Sequence, residues 1–363
     1  MKNTFGTSVA VTLFGESHGA MIGAVLDGFA PGIPVDEDFI ASRMALRRSA
    51  NALSTARREA DTVRIVSGVV DGHTTGTPIT LLIENGDTKS AHYDDMQTLA
   101  RPGHADFTAY EKYHGFSDTR GGGHFSGRIT AGLVAAGAIA QSALEKKGIR
   151  IGTHIAACGG VHDRGFDNID ADLAVLRDRE LAVLDETQGE AMKDAILSAK
   201  RDGDSVGGIL ETAVTGLPAG VGEPWFDTLE GVLAHALFSI PAVKGVEFGA
   251  GFAYADMRGS EANDPFRAEN GRVVTSTNNC GGILGGISNG MPLVVRCAVK
   301  PTPSIYLAQN TVNFKSRENA TLDVKGRHDP AIVHRARVVA DSVVSLTLCD
   351  MLALRFGTDW LKA

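Results

Sequence analysis

Cysteine is scarce: Cys158, Cys280, Cys297 and Cys349 stand far apart in 363 residues, without CxxC or other metal-type spacing. That excludes a disulfide scaffold and a cysteine-held metal, and leaves buried thiols of a reducing compartment. No stretch approaches the roughly 18 apolar residues of a membrane-crossing helix. The N-terminal MKNTFGTSVAVTLFGES lacks the apolar run and small-residue cleavage site of a signal peptide. The expected location is the cytoplasm, with no membrane partner. Basic residues are the minority, 35 Lys and Arg against 43 Asp and Glu, for a formal charge of −8. Without a basic face, nucleic-acid binding is not expected, and any anionic ligand must be held by local arginines. Linkers, low-complexity tracts and short repeats are also missing, so residues 1–363 are expected to form one compact unit.

Glycine is abundant instead, 43 residues spread along the chain, which points to tight turns and close backbone approaches. Alternation at Val9, Val11 and Leu13 and the apolar run from Ile22 to Phe29 predict two strands joined by GESHG at Gly15 to Gly19. Asp36 is the expected N-cap of a helix that delivers Arg47 and Arg48 at its end. Further strands are expected at Val63–Val70, Ile79–Ile83, Ile149–Val161, Gly208–Val214, Val243–Phe252 and Leu293–Val299. Helices are expected at Ala171–Leu184, at Glu190–Lys200 and, behind Asp227, at Thr228–Ile240. Two more, Thr130–Lys147 and Ala331–Leu354, are apolar around most of their circumference. In a charged soluble chain such helices must be covered on both sides. The expected fold is therefore α+β, with helices sandwiched between sheets.

The stretch RPGHADFTAYEKYHGFSDTRGGGHFSGR, Arg101 to Arg128, has no clear helical or strand period and concentrates chemistry. Gly121, Gly122 and Gly123 allow positive φ and free N–H groups, and Arg120 and Arg128 flank them with guanidinium forks suited to phosphate or carboxylate. With Arg101, His104 and His124 the segment reads as an anion site beside acid–base groups. GESHG matches the G-x-S-x-G of a serine hydrolase, with Ser17 as nucleophile, but such an elbow needs a helix where MIGAVLDGF predicts a strand. His18, exposed on this turn, is the more informative residue. Lys300, Pro301, Thr302, Pro303 and Ser304 place an ammonium, two hydroxyls and a stiff backbone at a strand end, a clamp for a phosphate or a planar ring or simply a Pro-rich turn. In GRHDP, Asp329 before Pro330 is either a helix cap or part of a charged cluster with Arg327 and His328.

Eleven segments in order resemble the chorismate synthase family: GESHG, TGTP, RPGHAD, RGGG, AAGAIA, GVGEP, AVKGVEFG, MRGSE, GGILGGISNGMP, KPTPSI and GRHDP. The resemblance spans nearly the whole chain. It implies a homotetramer of subunits with helices between antiparallel sheets. The reaction it implies is the 1,4-anti elimination of phosphate from 5-enolpyruvylshikimate 3-phosphate to give chorismate, with reduced FMN and no net redox change. Matched residue by residue, His18 and His104 resemble the family's acid–base histidines. Asp329 resembles the carboxylate beside the flavin. Arg47, Arg101 and Arg128, with Ser17, resemble the clamps of the anionic substrate. His124, Phe125, Ser126, Ala242, Gly285, Lys300, Pro301, Thr302, Pro303, Ser304 and Arg327 match the flavin positions.

The chain also departs from the family. It reads GGGHFSGR where GGGRSSAR is common, it carries Pro241 where an asparagine precedes Ala242, and its stretch after Arg48 is shorter. No Rossmann fingerprint is evident, so an external reductant is expected to supply the reduced flavin. The alternatives are a serine hydrolase using Ser17 and a flavin- or phosphate-binding paralogue without turnover.

Overall fold

Strand-forming alternation in the N-terminal quarter builds an antiparallel five-stranded sheet in the spatial order Thr4–Phe5, Ala10–Gly15, Met21–Asp27, Ile79–Glu84 and Val63–Ser67. The computed structural model describes residues 2–48, 53, 60–86, 98–324 and 328–362. On the inner face of this sheet Ile22, Ala24 and Leu26 lie beside Ile79, Leu81 and Ile83, all fully buried. A second antiparallel sheet has the order Val243–Phe248, Leu293–Val299, Gly208–Thr215, Arg150–Cys158 and Val161–His162. Between the sheets lie the helices Thr130–Lys146 and Val333–Phe356. The first packs on the N-terminal sheet, the second on the other sheet, and the two helices pack on each other. This four-layer arrangement is why both helices are apolar nearly all round.

Small residues set how closely the layers approach. A Cβ built at Gly132 would lie 2.8 Å from the carbonyl oxygen of Gly23, and one at Gly137 only 2.2 Å from the Cβ of Ser342 on the facing helix. The C-terminal helix satisfies its buried hydroxyls internally: Ser342, Ser345 and Thr347 donate to the carbonyls of Val338, Asp341 and Val343. Its buried carboxylates reach outward. Asp341 accepts from Thr153 on the second sheet (2.6 Å), and Asp350 accepts the backbone amides of Thr7, Ser8 and Val9. One helix therefore ties both ends of the chain together. No helix among the described residues is long and apolar enough to cross a membrane.

Several expectations change in detail. Asp36 caps its helix as expected, accepting from the Phe39 amide at 2.9 Å. Thr228, not Asp227, caps Leu229–Phe238, because its hydroxyl reaches the amide of Gly231 (2.9 Å). Asp329 caps no helix and pairs with Arg335 instead (2.6 Å). The helix after Asn168 stops at Leu176, well short of Leu184. A short helix, Asp106–Lys112, lies inside the stretch that showed no period.

Gly137→Ala should lower stability by about 1–3 kcal/mol, since a methyl group there overpacks the helix crossing. Denaturant unfolding beside Gly165→Ala, where an added Cβ meets nothing within 4 Å, checks this. Equal midpoints would remove Gly137 from the packing argument.

Candidate active site

The GESHG turn links two antiparallel strands, so the strand-to-helix elbow of a serine hydrolase does not form. Ser17 is buried; its amide donates to the Gly123 carbonyl (3.1 Å) and its hydroxyl to the Arg120 carbonyl (3.2 Å). His18, expected to be exposed, is 8 % exposed because the triple-glycine loop folds over it, and its Nδ1 lies 3.1 Å from the Ser17 hydroxyl. The loop needs glycine. Gly121, Gly122 and Gly123 have φ of 62°, 107° and 53°, and a Cβ on Gly121 would stand 2.0 Å from the His18 ring. A Cβ on Gly122 would be 3.4 Å from Nε2 of His104, so the glycine loop runs between the two histidines.

Each of Arg47, Arg101 and Arg128 is held by a carboxylate. Arg101 donates to Asp106 from Nε (2.8 Å) and from its terminal nitrogen (2.7 Å). Arg47 and Arg128 bind opposite oxygens of Asp61, whose side chain is fully buried. Arg128 also donates to the Asn85 side-chain oxygen (3.0 Å) and the Glu84 carbonyl (3.1 Å). Asn85 in turn donates to the carbonyls of Glu16 and Gly19, which fastens the arginine cluster to the histidine turn. From the other side Arg335 donates to the Arg47 carbonyl (2.8 Å) and pairs with Asp329. Burial lowers the Arg47 pKa to about 10, and Arg335 and Arg128 contribute while Asp61 opposes the fall. Burial alone would push the Asp61 carboxyl up; Arg47 and Arg128 outweigh it and hold Asp61 below its ordinary 3.8. Asp61, Asn85, Asp106 and Arg335 were not singled out by sequence reasoning. Asp106 had a signal in its position two residues after His104, whereas Asp61, Asn85 and Arg335 come together only in three dimensions.

The Lys300–Ser304 run reaches the same region. The Lys300 ammonium donates to the Gly103 carbonyl, and a Cβ on Gly103 would lie 3.3 Å from Pro303. Burial, with help from Lys244, lowers the Lys300 pKa. Pro301 packs against Gly207, the Thr302 carbonyl accepts from Ser205 (2.7 Å), and buried Ser304 shares a crevice with His328 and Asp329. Ala242 joins through its carbonyl, which accepts from the Lys300 amide (3.0 Å). Its φ of 76° follows a proline, and Val243 donates to the Ile240 carbonyl (3.2 Å), as in a type II turn with Pro241 at the second position. Pro241 thus has a structural reason to be there.

His124 donates from Nδ1 to the Gly15 carbonyl (2.8 Å), Phe125 meets Tyr113 edge-on, and the Ser126 hydroxyl accepts the Arg128 amide. His104, His124 and Phe125 help line an open cavity of about 340 Å³, together with Leu13, Phe14 and Tyr113. Gly285 sits in the turn of the hairpin formed by Ile283–Leu284 and Ile287–Ser288, with open space among the described residues where a Cβ would be. Arg327, and the stretch after Arg48 apart from Leu53, lie outside the described residues.

The family model described as chorismate synthase matches residues 9–353. The chorismate synthase of Pyrococcus abyssi is 47% identical over 350 residues, covering 96% of this chain and 97% of that protein. That of Dehalococcoides mccartyi is 48% identical over 358 residues, covering 98% of each. A crystal structure of chorismate synthase superposes with a TM-score of 0.76 at 29% identity, covering 97% of this chain and 94% of that one. The fold is thus that of an α+β enzyme class with paired helices enclosed by antiparallel sheets. The chain belongs to the chorismate synthase family, lyases of the shikimate pathway and aromatic amino-acid biosynthesis that act on a small-molecule substrate.

Asp61→Ala should destabilise the protein by about 3–5 kcal/mol at neutral pH, because two buried guanidinium groups lose their carboxylate. Since folding lowers the Asp61 pKa, its contribution is complete above the unfolded value, near 3.8, and drains away as pH falls through the folded one. The stability gap between wild type and variant, followed by urea unfolding from pH 7 downward, should therefore narrow in acid. A gap independent of pH would contradict the charge argument.

Proposed function

We propose that the chain converts 5-enolpyruvylshikimate 3-phosphate to chorismate and phosphate by a 1,4-anti elimination dependent on reduced FMN. The observation that carries this reading is the glycine loop between His18 and His104, joined by Asn85 to the Arg47–Asp61–Arg128 cluster. A substrate with two carboxylates and a phosphate needs such guanidinium forks, and phosphate departure benefits from a proton donor. In this reading Arg47, Arg101 and Arg128, with Ser17 beside them, hold the substrate's anions. His18 donates a proton at the leaving phosphate, and His104 serves as the second acid–base group.

The residues matched to FMN suit a phosphorylated planar cofactor. The buried Thr302 hydroxyl has no partner among the described residues, Lys300 supplies a cation, and Phe125, Pro301 and Pro303 offer flat apolar surface. These residues would hold a reduced flavin, which would supply electron density for the elimination. His124, Ser126, Ala242, Gly285, Ser304 and Arg327 complete the proposed flavin shell, and Asp329, oriented by Arg335, is the carboxylate beside it that would help transfer of the substrate's proton to the flavin. The reading includes one compact unit, a homotetramer, a cytoplasmic setting and an external flavin reductant. Trp225, Phe226 and Phe252, 86 %, 96 % and 83 % exposed on the single chain, support burial against further copies.

An anaerobic assay with substrate and chemically reduced FMN tests the reading: chorismate should form, whereas binding without turnover would favour the paralogue alternative. His18→Ala and His104→Ala should keep FMN binding and the melting temperature while turnover falls by roughly 10²–10⁴-fold. Near-normal turnover in both would defeat the acid–base assignment. FMN should also bind more tightly with substrate present, because each anion orders loops the other uses. Equal affinities in paired titrations would remove that coupling.

A further inference from the structure

Asp106 has no role in the reading above, yet both of its oxygens are committed to residues that do. Oδ2 accepts from the backbone amide (3.0 Å) and Nε (2.8 Å) of Arg101; Oδ1 accepts from the terminal Arg101 nitrogen (2.7 Å) and from Nδ1 of His104 (2.8 Å). A carboxylate only accepts hydrogen bonds, so the 2.8 Å contact requires the proton on Nδ1. The 3.1 Å approach of Arg101 to that nitrogen is then between two donors sharing one acceptor. Burial would push the Asp106 carboxyl up, but the hydrogen bonds from Arg101 and His104 outweigh it and hold it well below the usual carboxylate range. Asp106 stays ionised wherever the enzyme works.

We infer that Asp106 is a positioning residue that fixes His104 as the Nδ1–H tautomer, with Nε2 facing the glycine loop as the proton-exchanging atom, and locks the Arg101 fork beside it. The inference rests on the acid–base role proposed for His104. Gly122 is what keeps Nε2 uncovered, since a Cβ there would sit 3.4 Å from it. Among the described residues, the charged and titratable groups around His104 are Asp106 and Arg101 on its own segment, Lys300 at the Gly103 carbonyl, His18 across the glycine loop, and Glu16, Tyr113, Asp118 and His124 around the adjoining cavity. Among these, Asp106 alone is recorded within hydrogen-bond distance of Nδ1 as an acceptor. The arrangement is that of a carboxylate orienting a catalytic imidazole.

A kinetic double-mutant cycle on the full enzyme with reduced FMN separates this role from a merely structural one. Asp106→Asn should lower kcat by about 10²–10⁴-fold in the wild-type background and cause no further fall in His104→Ala. Disorder of Arg101 would show instead as a raised substrate KM in both backgrounds. An equal loss of kcat in both backgrounds would overturn the inference while leaving His104 itself in place. Normal turnover of His104→Ala would overturn the reading beneath it. Nitrogen NMR of the histidine-labelled wild-type enzyme gives a check that needs no variant to fold: His104 should carry its proton on Nδ1, and a proton on Nε2 alone would refute the assignment.

Discussion

The close crossing of two apolar helices at Gly137 and Ser342 governs the rest of the molecule. Because the helices touch where a methyl group has no room, each can bury its other side against a sheet, and the four layers follow from that single contact. The same packing delivers the chemistry. Arg128 stands two residues before the helix Thr130–Lys146, and Asp329 four residues before Val333–Phe356. Arg47 closes the helix Glu37–Arg47, which packs against both. Rigid elements thus fix the arginine cluster from three directions.

Electrostatics explains how an acidic protein keeps such a cluster folded. Arg47 and Arg128 share Asp61, Arg101 is gripped by Asp106, Arg120 by Asp118 and Arg335 by Asp329. The pairings of Arg47, Arg101 and Arg128 neutralise guanidiniums that burial would otherwise make costly, that of Arg120 lies at the surface, and each leaves the fork aimed rather than free to rotate. Preorganisation of this kind reduces what a ligand must spend in ordering the site. It also makes the arginines part of the fold. Arg128, matched by resemblance to an anion clamp, is buried and holds the Asp61 carboxylate, so its removal would lower stability.

The second sheet repeats this solution without joining the site. His154 is fully buried between Asp163 (3.0 Å) and Glu211 (2.9 Å), and Glu211 continues to Arg296 and Glu247. Asp163 also accepts the amides of Leu184 and Asp185, so the chain connecting two helices is fastened to the strand through one carboxylate. Nothing in the alternation of Arg150–Cys158 announced a paired histidine at its centre. A lone His inside an apolar strand gives no hint of partners 9 and 57 residues away.

Local chemistry was legible wherever it depends on neighbours in the chain. The wrapped-apolar pattern read over Thr130–Lys147 and Ala331–Leu354, the Asp36 cap and the strand at Leu293–Val299 are all consequences of side-chain period and short-range hydrogen bonding; the helices form at Thr130–Lys146 and Val333–Phe356, and the cap and strand appear as read. The family motifs likewise pointed to His18, His104 and the arginines without any coordinates. Partnership was not legible, because it is set by which surfaces the folded layers bring together. That Asp329 pairs with Arg335 instead of capping a helix, and that Asp61 bridges Arg47 and Arg128, are outcomes of tertiary packing. So is the burial of His18, which the turn alone would leave in solvent and the glycine loop encloses. The sequence by itself determined which groups are present and what local shapes carry them; only the tertiary structure decided which charges meet, since a buried charge takes whatever partner the packing places within reach.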